Sequence, residues 1–268
     1  MLTALQYLIV TVVVLYGTLC IGIYLVQERL LFFPERLPPG SRYTFDLPHE
    51  ELFIPVDGAE LHTLWFRTAD PRGVVLYFHG NGGNVQIAEV VAPHLIERGY
   101  DVVMADYRGY GLSTGAISSE AQLLADAEAV YAWVMERYPE PQIVLYGSSL
   151  GSGFASWLAV NHQPRLLILE SPYYSIETIA RRRFPWAPSF LLKYPLRSYS
   201  WIGQVRCPVV IFHGTNDHVI PFADGERLAA EVTAPLSFYR LEGGGHVDSI
   251  SFRVYYEAID QALGSSRQ

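Results

Sequence analysis

Residues 146–153, Tyr-Gly-Ser-Ser-Leu-Gly-Ser-Gly, limit what this chain can fold into more than any other stretch. The preceding 142–146 run, Gln-Ile-Val-Leu-Tyr, is apolar and β-prone and predicts a buried strand. The following 154–160 run, Phe-Ala-Ser-Trp-Leu-Ala-Val, suits a helix. Between them lies Gly147-Ser148-Ser149-Leu150-Gly151, a Gly-x-Ser-x-Gly sequence. A strand that turns sharply into a helix strains the backbone of its turn residue, and flanking glycines relieve the crowding. Ser149 can then point its hydroxyl outward. Leu150 offers a backbone N–H at the helix start, where partial positive charge gathers. A plain Gly/Ser turn would read the same in isolation, but the strand-before, helix-after context favours an exposed nucleophile.

Around this turn, strand and helix patterns alternate. Runs 52–56 and 60–67 read as strands joined at Asp57-Gly58. Runs 74–78, 102–105, 142–146, 166–169, 209–212 and 236–239 read as further strands, and 85–98, 119–136 and 252–263 as helices. This order predicts an α/β fold, a mostly parallel sheet with helices on both faces and an antiparallel opening hairpin. With 268 residues, half of them hydrophobic, the chain can build one large domain plus an appendage. The domain is expected over 47–268. Residues 173–206 are too long for a simple connection and read as a short cap insertion. Within it, 180–206 holds Arg181, Arg182, Arg183, Lys193, Arg197 and Arg206 with no acid, and aromatics including Phe184, Trp186 and Phe190. That mixture suits a membrane surface or lipid headgroups, or an ordinary cap with solvated arginines.

Residues 2–26 carry no charge. As a helix they would run about 37 Å, against a bilayer core of about 30 Å. A cleaved signal peptide usually shows a basic start and small residues at the cut, and neither is clear here. A lipoprotein signal would want a small residue before its cysteine, but Leu19 precedes Cys20. We therefore read 1–27 as a single-pass transmembrane anchor and 28–46, with Pro34, Pro38, Pro39 and Gly40, as a juxtamembrane tether whose apolar 30–34 run sits at the membrane interface or against the domain. Arg29, Arg36 and Arg42 flank the anchor on the domain side only, which puts the domain in the cytoplasm by the positive-inside rule. The net charge of −8 argues against general nucleic-acid binding. Cys20 and Cys207 make no disulfide framework, and no Cys/His cluster has zinc spacing.

A nucleophilic serine needs a base, and the base needs an orienting acid. Asp217, in Phe-His-Gly-Thr-Asn-Asp-His just past a strand end, fits the acid, with Glu170 as runner-up. His246, delivered by Gly243-Gly244-Gly245 after the last strand, fits the base better than His218. An oxyanion hole needs backbone donors, expected from Leu150 and from Asn81 in the glycine-rich loop 79–84. That loop lacks the endings of a phosphate-binding loop. In 106–115, Asp106 and Arg108 read as an internal ion pair.

Five segments in order, 79–84, 106–115, 147–151, 213–221 and 243–246, make the chain resemble the α/β-hydrolase superfamily over most of 50–262. The nearest resemblance is to its membrane-anchored, Bem46-like members. Those carry an apolar anchor followed by a Leu-Phe-x-Pro-like tether, here Leu31-Phe32-Phe33-Pro34. Their oxyanion loop often reads His-Gly-Asn-Ala-Gly-Asn, with Gly82 standing here in place of Ala. Ser171-Pro172-Tyr173 matches the segment after their sixth strand. The resemblance implies a serine hydrolase with Ser149, Asp217 and His246 as triad, acting on acyl esters or thioesters such as acyl glycerols, lysophospholipids or protein thioesters. It implies no cofactor or metal. Tyr173, Tyr107 and Trp186 are expected to contact the substrate, which the anchor and the aromatic cap mark as lipid-derived. A peptidase of the same fold and a non-catalytic scaffold are the alternatives.

Overall fold

The apolar runs become the strands of one eight-stranded sheet in the computed structural model, which describes residues 3–264. The strands are β1 (His49–Val56), β2 (Ala59–Phe66), β3 (Gly73–Phe78), β4 (Tyr100–Ala105), β5 (Ile143–Ser148), β6 (Leu166–Glu170), β7 (Val209–Gly214) and β8 (Leu236–Leu241). Their spatial order is β1-β2-β4-β3-β5-β6-β7-β8. β2 runs antiparallel to β1 and β4, and every other pairing is parallel. Every residue of β3, β4, β5, β6 and β7 is buried. Helices cover both faces of these strands, so their sequences are continuously apolar instead of alternating.

Side chains of one strand still divide between two cores. Val74, Leu76 and Phe78 pack under α3 (Glu120–Met135), α4 (Gly151–Asn161) and α7 (Phe222–Ala230). Val75 and Tyr77 pack under α2 (Ala88–Ile96) and α8 (Arg253–Leu263). The helix expected over 85–98 opens as a 3-10 turn, Val85–Ile87, because the Asn84 side chain accepts from the Gln86 N–H at 2.9 Å and caps that turn. The expected Asp106–Arg108 ion pair does not form. Arg108 instead forks onto Asp126 of α3 with two bonds of 2.6 Å. Asp106 accepts from the Val85 N–H at 2.8 Å and pins the loop before α2.

At the N-terminus, α1 (Ala4–Leu31) is 28 residues long and takes in the first residues expected of the tether. Among the described residues it is the one helix long and apolar enough to cross a membrane. It stops where Phe32 turns extended. The segment after it is packed, not loose: Phe32 and Tyr43 are buried in the two cores, and Phe33-Pro34 pairs in parallel with Gly82-Gly83. The cap holds α5 (Ile176–Arg183), a 3-10 turn (Ser189–Leu191) and α6 (Ser198–Ile202). Most of its cations are neutralised from outside 180–206. Arg182 pairs with Asp224, Arg181 and Arg197 with Glu177, and Lys193 with Glu28.

Candidate active site

β5 ends at Ser148 and α4 begins at Gly151, so the chain reverses direction within two residues. Ser149 absorbs the turn at φ +51°, a left-handed backbone that costs an L-residue about 1–2 kcal/mol. The flanking glycines are required by space. A Cβ on Gly147 would sit 2.5 Å from the Gly151 carbonyl oxygen, and one on Gly151 would overlap the Phe78 carbonyl at the end of β3. The Ser149 N–H is held by the Glu170 carbonyl at 2.9 Å, which ties the turn to the neighbouring β6.

Asp217 follows β7. Its Oδ1 accepts from the N–H groups of Val219 and Ile220, each at 2.8 Å, which fixes the carboxylate plane. Its Oδ2 lies 2.7 Å from His246 Nδ1, and His246 Nε2 lies 2.9 Å from Ser149 Oγ. The three side chains, 97 positions apart at their widest, therefore form one hydrogen-bonded line. Burial alone would push the Asp217 carboxyl up. Hydrogen bonds from His213 and His246, and from the Ile220 N–H, outweigh burial and hold it well below the usual carboxylate range. An ionised Asp217 only accepts, so Nδ1 carries the proton and Nε2 is left to accept from the serine hydroxyl. Gly214 makes this approach possible: any Cβ there would overlap the Gly244 and Gly245 carbonyls of the histidine loop. Next to the ring, Val247 takes φ +50°.

Glu170, the runner-up acid, is buried beneath this loop, where it accepts from the Ser249 N–H at 3.3 Å. Burial pushes its carboxyl up despite the bonds from Ser249 and Ser148. His218 lies exposed.

A pocket of about 220 Å³ opens over Ser149, lined by Asn81, Leu150, Tyr173, Ile176, Tyr194 and Ile220 among others. Leu30, Leu31, Phe32 and Phe33 from the N-terminal segment complete its wall. Among the described residues, no carboxylate lines it. Among the described residues, no backbone hydrogen bond uses the N–H of Asn81 or Leu150. The Asn81 loop is fixed through its side chain and carbonyl. Its Nδ2 donates to the Leu31 carbonyl at 2.6 Å, and its O and Oδ1 both accept from the Tyr110 hydroxyl at 3.0 Å. Tyr173 lines the pocket and donates to the Leu150 carbonyl at 3.2 Å.

Two expected substrate contacts fall elsewhere. Tyr107 is spent holding the His79 carbonyl at 2.6 Å and does not line the pocket. Trp186 lies against α1, where its carbonyl accepts from Tyr16, and lines a neighbouring groove between α1 and the cap instead of this pocket. The residues missed in the sequence are those of the α1 end and the cap, Leu30, Phe33, Tyr194 and Leu196. The apolar 30–34 run signalled Leu30 and Phe33, and the aromatic content of 180–206 signalled Tyr194.

This strand order, with a strained serine between the fifth strand and its helix, is that of the α/β hydrolases. The esterase Pf2001 of Pyrococcus furiosus superposes with a TM-score of 0.69, covering 87% of this chain and 96% of its own at 18% identity, a likeness of fold. The chain belongs to the hydrolase family described as Serine aminopeptidase, S33, which it matches over residues 69–204. It is 32% identical over 247 residues to an uncharacterized protein of Mycobacterium tuberculosis, covering 88% of this chain and 87% of that one. It is also 30% identical over 226 residues to protein bem46 of Schizosaccharomyces pombe, covering 76% of this chain and 74% of that one.

Proposed function

We propose that the protein is a membrane-anchored serine hydrolase that cleaves carboxylic esters or thioesters with lipid-derived acyl groups. The observation that carries this reading is the hydrogen-bonded line from Asp217 through His246 to Ser149. In the proposed reaction, Ser149 Oγ attacks the acyl carbonyl while His246 Nε2 takes its proton. Asp217 holds the Nδ1–H tautomer and stabilises the imidazolium. The N–H groups of Leu150 and Asn81 receive the oxyanion. His246 then gives the proton to the leaving alcohol or thiol as the C–O or C–S bond breaks. Water, deprotonated by His246, releases the acid from Ser149. Each step is complete without a metal or cofactor.

The pocket's aliphatic and aromatic lining suits an acyl chain, with Tyr173 as one of its contacts. The esterase likeness in fold agrees with that. α1 supplies the anchor, and Arg29, Arg36 and Arg42 favour a cytoplasmic domain. The family's description raises a peptidase as a second reading. An aminopeptidase site needs an acid for the substrate amine, and this pocket offers none.

The test is turnover of p-nitrophenyl butyrate by wild type, Ser149→Ala, Asp217→Asn and His246→Ala. Loss of about 10⁴-fold or more is expected for Ser149→Ala and His246→Ala, and about 10⁴ for Asp217→Asn. Activity surviving in Ser149→Ala would overturn the assignment. Turnover of aminoacyl amides in preference to esters would favour the peptidase.

A further inference from the structure

The apolar wall of the catalytic pocket continues beyond it. Leu30, Leu31 and Ile179 also line a second groove, which runs between α1 and the cap past Ile23 to Cys20. The cap side of this groove includes Ala180, Phe184, Trp186, Ala187 and Leu191, with Glu177, Arg181 and Arg183 also lining it. From Leu31 to Cys20 the groove follows about 16 Å of helix.

The cap grips α1 far along its length. Tyr16 Oη donates to the Trp186 carbonyl at 2.9 Å, and near the domain the buried Gln27 donates to the Leu191 carbonyl and accepts from the Lys193 N–H. Gly17, Cys20, Ile23, Gln27 and Leu31 are half-buried or buried, a helical stripe facing the cap, while α1 is exposed from its start through Tyr16. The stretch before Tyr16 is roughly 12 residues, about 18 Å. A hydrocarbon core of about 30 Å needs about 20 residues. A spanning α1 must therefore carry Tyr16 and Cys20 into the hydrocarbon layer, with the neighbouring cap segment beside them. The cap's exposed apolar tip fits that depth: Phe190 is 83% exposed and Trp186 43%.

We propose that this groove is the acyl-chain site of the hydrolase, open to the bilayer. Its occupant is one long acyl chain of a glycerolipid ester in the surrounding leaflet, which lies between α1 and the cap and presents its carbonyl to Ser149. This rests on the ester-hydrolase reading above. Four of the cap's six cations, Arg181, Arg182, Lys193 and Arg197, already hold carboxylate partners, so the proposal rests on recognition of the chain.

The experiment uses the full chain in phosphatidylcholine vesicles. Ala180→Trp and Ala187→Trp fill the groove at positions that do not line the catalytic pocket. Release of oleate from monooleoylglycerol in the vesicles falls at least tenfold in each variant, while turnover of water-soluble p-nitrophenyl acetate stays within twofold of wild type. An oleate rate within twofold of wild type, or a parallel fall of both rates, overturns the groove. Wild type is measured independently with a hexadecyl fluorophosphonate carrying a diazirine at its chain end. After Ser149 is labelled and irradiated, crosslinks fall on residues 20–27 or 184–192. Crosslinks confined to other segments overturn the groove while leaving the serine hydrolase intact. Absence of any label on Ser149 overturns both.

Discussion

Asp217 is where the electrostatics of the site concentrate. Its carboxylate is buried, yet it stays ionised because four donors converge on it: His246, His213 and the N–H groups of Val219 and Ile220. Its folded value is therefore depressed below the unfolded one of about 3.9. A depressed carboxylate contributes stability that is present above the unfolded value and lost as pH falls through the folded one. Asp217→Asn cannot titrate there. Urea unfolding should show the variant less stable than wild type at pH 7, with the gap narrowing as pH falls below about 4. A gap that stayed constant from pH 7 to pH 3 would place the stabilising charge elsewhere. The positions of Ser149, Asp217 and His246 were readable because each follows a strand end and is flagged by a local signal: glycine spacing, a strand-to-loop change, a glycine run. Tyr107 carried no such signal, and Trp186 lines the α1–cap groove instead of the pocket over Ser149. An aromatic near a motif can turn its hydroxyl to a neighbouring carbonyl as easily as its ring to a pocket, and sequence does not record which.

The 32–46 segment is docked on the domain through its buried Phe32 and Tyr43, although its prolines read as a tether. Phe32 is buried edge-on against Tyr194 at 5.0 Å between ring centroids, and the main chain just before it, at Leu31, accepts from Asn81. The helix end, the cap and the loop expected to hold the oxyanion thus meet at one point. Removing the ring should cost about 3–5 kcal/mol, the usual range for a buried phenylalanine cut to alanine. Because Phe32 also walls the pocket, Phe32→Ala should lower both the melting temperature and kcat/KM for a soluble ester. Thermal melts and butyrate kinetics on the same preparation check this. A drop in stability with unchanged kinetics would mean that the wall does not shape the site. The strands were legible because buried parallel strands are continuously apolar. Docking of 32–46 was legible only as one of two readings of the apolar 30–34 run, because the contacts that fix it, short parallel pairing with Gly82-Gly83 and one aromatic contact across 162 positions, leave no local signal.

At the scale of the whole molecule, the question is how deep the domain sits. A single anchor would leave a globular enzyme swinging above the bilayer if its tether were loose. Here Gln27, Glu28 and Tyr16 bind cap residues, so α1 and the domain are held together, and in the proposed anchoring the helix sets the depth of both. Trp186 reports that depth. The chain has five tryptophans, and Trp186 is the one exposed to the surroundings, beside Tyr16 of α1. The other four, Trp65, Trp133, Trp157 and Trp201, are half-buried on the domain. Reconstitution into vesicles of brominated phosphatidylcholine should quench a fraction of the emission, and Trp186→Phe should remove most of that quenched fraction. Bromines placed mid-chain should quench more than bromines near the headgroup if the cap tip reaches the hydrocarbon. Quenching that survives in Trp186→Phe would lift the cap out of the membrane. The helix would then have to tilt or shift to bury its apolar length, and the acyl-chain groove would face water instead of the bilayer that supplies its proposed occupant.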